Sequence, residues 1–182
     1  MSHEDSSIVW SPDFVLTREH FQGEPDPNDL HDANTRSQLN YFFKHKIERI
    51  ESDYKILILD IFVKSYLSPK NSWLRTEGLN ETNLPLLLKH ELGHFDIAEK
   101  HAREFDRKMK NNFNHKSFVF KTETQEETIV EMRKIMQKYF EKLIKVLPIA
   151  HKQYDEITNH GTITSEQEKY DHRFETLRNE TV

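Results

Sequence analysis

His90, Glu91 and His94 stand in the pentapeptide His90-Glu91-Leu92-Gly93-His94, inside a run from Asn83 to about Lys110 that reads as one long helix. Residues four apart on a helix lie one turn above each other on one face, so both imidazoles can reach a single divalent ion. Glu91 lies about 100° round the axis, where its carboxylate can take a proton from water at an open coordination position without itself ligating. This H-E-x-x-H arrangement fits a zinc-dependent hydrolase. Chance alone would place it in a chain of this composition about 0.07 times, so its surroundings matter. Pro85 suits the first turn of a helix, and Leu86, Leu87, Phe95 and Ala98 supply apolar support. Gly93 allows a close approach between the two histidines, at a helix-propensity cost of about 1 kcal/mol. The bland alternative is a pair of surface histidines on a polar helix.

Catalytic zinc takes three protein ligands and keeps one position for water, so a third ligand is required. His101 shares the helix face but lies about 10 Å along the axis from His94, too far to reach an ion held at bonds of about 2 Å. Asp96 and Glu99 sit on the same helix and point elsewhere; they suit hydrogen bonds to a ligand imidazole, or solvent. The polar cluster Tyr154-Asp155-Glu156-Ile157-Thr158-Asn159-His160-Gly161 is the best supply. His160 is the first choice, because an imidazole at a helix end before glycine can project freely, and Asp155 is the alternative. Tyr154 could donate its hydroxyl to the oxyanion of a tetrahedral intermediate. The remaining histidines, His3, His20, His31, His45, His115 and His172, have no metal-binding spacing and are expected in solvent.

The elements that must position these residues follow from hydrophobic period. Leu39, Tyr41, Phe43 and Ile47 alternate with polar residues between Arg36 and Ile50, which predicts a half-buried strand. Lys55 to Leu67 is apolar on both faces, as expected of a strand covered on two sides. Together these suggest a long antiparallel hairpin, with Ile8 to Leu16 as a third member and Ser72-Trp73-Leu74-Arg75 as a short edge strand or turn. Glu24 to Asp29 is a proline-rich loop. Thr82 or Asn83 can cap the metal helix. Asn111 to Lys121 reads as a polar connection. Thr122 or Thr124 then opens a second long helix with the apolar stripe Ile129, Met132, Met136, Phe140, Leu143, Leu147 and Ala150, kinked at Pro148. In the same sector the stripe continues as His151, Tyr154, Asp155 and Thr158. Gly161 suits the position past a helix end, and Ser165 with Glu168 predicts a capping box for a last helix to about Asn179.

The fold class expected is α+β, a small antiparallel sheet against two or three long helices, within one domain over 1–182: strands mainly in 8–75, helices mainly in 83–180. The chain has 182 residues, a net charge of −5 and 20 large aromatics, 12 Phe, 6 Tyr and 2 Trp. That aromatic content argues for a packed core despite the low mean hydropathy. Scattered basic residues argue against nucleic acid as a partner. The absence of cysteine rules out disulfides and thiolate zinc sites. No stretch approaches the roughly 18 apolar residues of a membrane span, and Met1 to Asp13 lacks the apolar core of a signal peptide, which by itself leaves a cytoplasmic location open.

Several motifs in order resemble a family of bacterial proteins of unassigned function, usually secreted, that is grouped by its H-E-x-x-H signature with zinc-dependent proteases. They are Leu16-Thr17 with Phe21-Gln22-Gly23, Ser72-Trp73, Leu88 to Glu99 around the pentapeptide, and Tyr154-Asp155-x-x-Thr158-x-His160-Gly161 followed by Gln167. Arg18, His20 and Tyr170 depart from the pattern. The resemblance implies a zincin-like metallopeptidase with one zinc ion, a peptide or protein substrate, and a periplasmic or secreted location. If the fold is zincin-like, a strand beside the metal helix leaves an edge open to an extended peptide. The reaction expected is peptide hydrolysis, with Glu91 as general base, Tyr154 at the oxyanion, and His90, His94 and His160 on zinc. A competing class is a non-catalytic metal-binding envelope or interaction module on the same scaffold. Glu91 argues against it, since a purely structural site has no use for a general base and is closed by four protein ligands.

Overall fold

A computed structural model describes residues 7–29, 31–75, 77 and 79–180. Its elements in chain order are β1 (Ile8–Val9), β2 (Ala33–Asn34), β3 (Ser37–Ile50), β4 (Asp53–Leu67), β5 (Trp73–Leu74), α1 (Asn83–Phe113), β6 (Ser117–Phe120), α2 (Gln125–Ile144), α3 (Leu147–Thr158) and α4 (Thr164–Asn179). The architecture is mixed α and β, as the α+β reading expects. Two compact units divide the chain, one of Met1–Leu39, Lys64–His101 and Leu147–Val182, the other of Asn40–Val63 and Ala102–Val146.

The second unit holds most of the β3–β4 hairpin, turned at Glu51 and Ser52, with β3 alternating half-buried and exposed side chains as its period of two predicts. In β4 the buried residues Ile56 and Ile58 are followed by Ile61 and Val63, with Leu57, Leu59 and Phe62 only half-buried. The two-faced apolar pattern is therefore a change of phase between Ile58 and Ile61, not a strand covered on both sides. At that point the Asp60 carboxylate accepts from the Ile61 amide, 2.9 Å away. The connection read as polar contains β6, antiparallel to β4 with Tyr54 opposite Phe120 and Leu57 opposite Ser117. Ser117-Phe118-Val119-Phe120 alternates, but four residues are too short to stand out between two helices. Phe105, Met109 and Phe113 of α1 and Met132, Met136 and Phe140 of α2 are buried in this unit. Thr124 caps α2, accepting from Glu127 N at 3.1 Å while Glu127 Oε2 accepts from Thr124 N at 3.3 Å.

The first unit contains the pairs β1–β4 (Ile8 opposite Leu67) and β2–β5 (Ala33 opposite Leu74), both antiparallel. Trp10, Leu16, Leu67, Phe95 and Leu177 form one buried cluster and Ile97, Tyr154 and Phe174 another. At the start of α1 the Asn80 carboxamide oxygen accepts from Thr82 N at 2.9 Å and from Asn83 N at 3.0 Å, and Asn83 Oδ1 accepts from Asn80 N at 2.7 Å. Leu86 is exposed and gives the histidine face no support. The expected kink at Pro148 is a full break between α2 and α3. Proline has no N–H to offer the Ile144 carbonyl and its ring clashes there, so α2 ends at Ile144 and Pro148 falls in the first turn of α3. The expected Ser165–Glu168 capping box does not form. The cap falls two residues earlier, at Ile163, whose carbonyl takes both Glu166 N and Gln167 N at 3.0 Å and places Ser165 inside the first turn.

Candidate metal centre

His90, Glu91 and His94 are buried on α1, and α3 brings Asp155 to them. Asp155 Oδ1 lies 3.0 Å from His90 Nε2 and 2.9 Å from His94 Nε2. Among the described residues this is the group of three whose ligand atoms lie close enough to hold one metal ion. His160, preferred from the sequence, stands outside it: its Nδ1 is 3.6 Å from Asp155 Oδ1 and its side chain is 44% exposed. The physical reason is backbone conformation. Beyond α3, Asn159, His160 and Gly161 all have positive φ, at 46°, 54° and 81°. This left-handed turn brings Gly161 against His90, where an added Cβ would lie 2.9 Å from His90 Cβ. The same turn carries the His160 imidazole to the rim.

Both imidazoles are held from behind. His90 Nδ1 lies 3.1 Å from Gln167 Oε1, and Gln167 Nε2 donates to Asp171 Oδ1 at 2.8 Å. A carboxylate only accepts, so the Gln167 oxygen is the atom facing His90, and His90 Nδ1 must carry the proton. Lys89 pairs with the other Asp171 oxygen at 2.5 Å and extends the chain of contacts. His94 Nδ1 lies 3.0 Å from His151 Nδ1. Burial, and then the neighbouring His94, push the His151 pKa down to about 3, so His151 is neutral. With its proton on Nδ1, a neutral His90 turns a lone pair on Nε2 towards Asp155 Oδ1. An imidazole lone pair and a carboxylate oxygen 3.0 Å apart need a proton or a cation between them. A His/His/Asp set of this chemistry could hold a metal ion.

The pKa directions describe the protonated alternative, in which the imidazoles donate to the Asp155 carboxylate. Burial raises the Asp155 pKa, but the hydrogen bonds with His90 and His94 and their charge outweigh it and hold the carboxyl well below its ordinary range. Burial lowers the His94 pKa, yet the bond to Asp155 and the charges of Glu91 and Asp155 leave it raised. Glu91 Oε2 is buried without a hydrogen-bond partner among the described residues. An ionised oxygen cannot be left so without cost, and a water or substrate proton is the natural complement.

Tyr154 does not face this opening. Its ring stacks on His90, with centroids 4.6 Å apart and planes at 12°. Its hydroxyl shares one proton between the His90 carbonyl at 3.2 Å and Gln167 Oε1 at 3.1 Å, and accepts from Gln167 Nε2 at 2.8 Å. Burial drives its pKa far above the ordinary value, so it stays a neutral buttress, in contrast to the expected oxyanion donor. Asp96 is also placed otherwise than expected. It accepts from Trp10 Nε1 at 2.8 Å and pairs with Arg178, away from any ligand imidazole. Glu99 Oε2 accepts from Ser65 Oγ at 2.7 Å. His31 is exposed, yet its ring lies 4.2 Å from that of His160. His3 lies outside the described residues.

Gln167 and His151 received no role from the sequence. His151 is one turn before Asp155, a spacing that could have marked it; Gln167 lies 12 residues beyond Asp155, across the left-handed turn, and has no such signal.

No family model, no curated protein and no solved structure matches the chain. No helix among the described residues is long and apolar enough to cross a membrane.

Proposed function

We propose that the chain is a zinc-dependent metallopeptidase with a zincin-like site, in which His90, His94 and Asp155 hold one zinc ion. The supporting observation is that Asp155 Oδ1 lies 3.0 Å from His90 Nε2 and 2.9 Å from His94 Nε2, with Glu91 Oε2 buried and without a hydrogen-bond partner among the described residues. Zinc at such a site supplies a Lewis acid that brings the pKa of a water towards neutrality. Glu91 takes a proton from the attacking water as the new C–O bond forms, and returns it to the leaving amine nitrogen as the C–N bond breaks. Gln167 keeps the His90 imidazole in the tautomer with Nε2 free and His151 steadies that of His94, which preserves ligand geometry through that cycle. The resemblance around Leu88 to Glu99 and Tyr154 to Gly161 supports the same reading and favours a peptide or protein substrate.

Glu91→Gln tests it. Protein purified without added metal and then loaded with one equivalent of zinc should keep its metal, measured by mass spectrometry, while hydrolysis of unfolded casein falls at least about 10²-fold. Undiminished hydrolysis by this variant refutes the role of Glu91. Tight zinc binding with no hydrolysis by the unaltered chain favours a non-catalytic metal-binding module.

A further inference from the structure

Peptide hydrolysis passes through a tetrahedral species whose former carbonyl oxygen carries negative charge, and Tyr154, buried and committed, offers that oxygen nothing. His160 is the imidazole left over once the ligand set closes on Asp155. Its side chain is 44% exposed, against 1% for that of His90, and its Nδ1 lies 3.6 Å from Asp155 Oδ1, beyond a hydrogen bond. That nitrogen makes no hydrogen bond to the proposed ligand Asp155 yet lies beside it. Its backbone is fixed: His160 N donates to the Asp155 carbonyl at 3.0 Å, Gly161 N to Thr158 Oγ1 at 3.2 Å, and Ile163 N to the Thr158 carbonyl at 2.9 Å. Two successive non-glycine residues in the left-handed region each cost about 1–2 kcal/mol, strain that persists where the surroundings impose it and that gathers at functional sites.

The ring is fixed from outside as well. His31 packs against it at 4.2 Å, with planes inclined at 40°. Asp29 Oδ1 accepts from His31 N at 3.0 Å and lies 2.6 Å from His31 Nδ1. Arg75 Nη2 anchors this loop by donating to the Asp29 carbonyl at 2.5 Å and the Asp26 carbonyl at 2.6 Å. A donor held on both sides before substrate arrives needs no reorganisation when charge develops. We infer that His160 is the hydrogen-bond donor to the substrate carbonyl oxygen as it becomes an oxyanion, and that His31 is its positioning residue. This rests on the metallopeptidase reading and assigns a catalytic group within it. A neutral imidazole N–H suffices for the task.

The probe is acetohydroxamate, a small zinc-binding oxygen ligand, titrated calorimetrically into the zinc-loaded full chain; zinc affinity is measured separately by competition with a chromophoric chelator. For His160→Ala, zinc affinity should stay within about twofold of the unaltered chain while acetohydroxamate affinity falls about tenfold. His160→Gln, which keeps a donor, should recover part of that loss. His31→Ala should weaken acetohydroxamate binding severalfold with zinc affinity unchanged, and His31→Phe, which keeps the ring contact, should restore it. A fall of about 10²-fold in zinc affinity for His160→Ala would make His160 a ligand and overturn the assignment. Unchanged acetohydroxamate affinity in that variant overturns it too, while leaving the metallopeptidase reading standing. Failure of the unaltered chain to bind zinc removes both.

Discussion

Gly93→Ala sets two effects against each other at the centre of the site. Alanine is the better helix former by about 1 kcal/mol, so within an isolated helix the change would stabilise. At this position the added Cβ would come within 2.7 Å of Tyr154 Cζ and 2.9 Å of Phe174 Cε2, and closer still to the Tyr154 hydroxyl oxygen. Tyr154 is fully buried, so it cannot withdraw without breaking its contacts with the His90 carbonyl and Gln167. Overpacking costs about 1–3 kcal/mol and stranded buried polar groups a similar amount, so the net destabilisation is about 1–5 kcal/mol, with about 3 as the central value. At about 2–4 °C per kcal/mol for a chain of this length, Tm should fall by about 6–12 °C. Zinc affinity should fall with it, because Tyr154 stacks on one ligand and directly precedes another in sequence. Adding Tyr154→Phe removes the nearest oxygen but leaves the ring, and should recover only part of the loss. Equilibrium denaturation and a zinc titration decide the matter. A Gly93→Ala protein as stable as the parent would mean that Tyr154 is not seated on this glycine, and the buttress account would fall.

Tyr154→Phe alone should lower stability by about 1–2 kcal/mol, by freeing Gln167 and the His90 carbonyl, with kcat on casein changed less than about tenfold. A loss of about 10²-fold or more in kcat at unchanged zinc content would return the oxyanion role to Tyr154. The metal-free protein should also show a linked pH dependence. Asp155, depressed when folded, contributes stability that is present above its unfolded pKa near 3.9 and is lost as pH falls through the lower folded value. His94, raised when folded, contributes stability that is complete below about pH 6.5 and is lost as pH rises through the higher folded value. For this pair stability is therefore greatest between about pH 4 and 6.5, and Asp155→Asn should flatten the profile at both ends. Zinc competes with the proton on His94, so the Tm increment from saturating zinc should be larger at pH 8 than at pH 6; equal increments would mean that His94 does not ligate.

Local chemistry made several parts of this protein legible in the sequence. The two imidazoles one turn apart, the alternation of β3, the Thr124–Glu127 cap and the buried Met132, Met136 and Phe140 all depend on neighbours within a few residues. Periodicity and capping report such relations directly. If His90 and His94 hold a metal ion, their spacing on one helix leaves a further ligand atom to come from elsewhere. Which atom arrives is a long-range matter. Asp155 and His160 are five residues apart in one polar cluster, and the choice between them rests on where α3 ends and on three left-handed residues that swing the imidazole aside. Tyr154 and Asp96 likewise carry side chains suited to catalysis or ligand support. Only packing reveals that one is sealed behind His90 and that the other is bound to Trp10 and Arg178. A residue's type and spacing limit what it can do, but the direction of its polar atom is set by residues distant in the chain, and that direction separates ligand, donor and buttress.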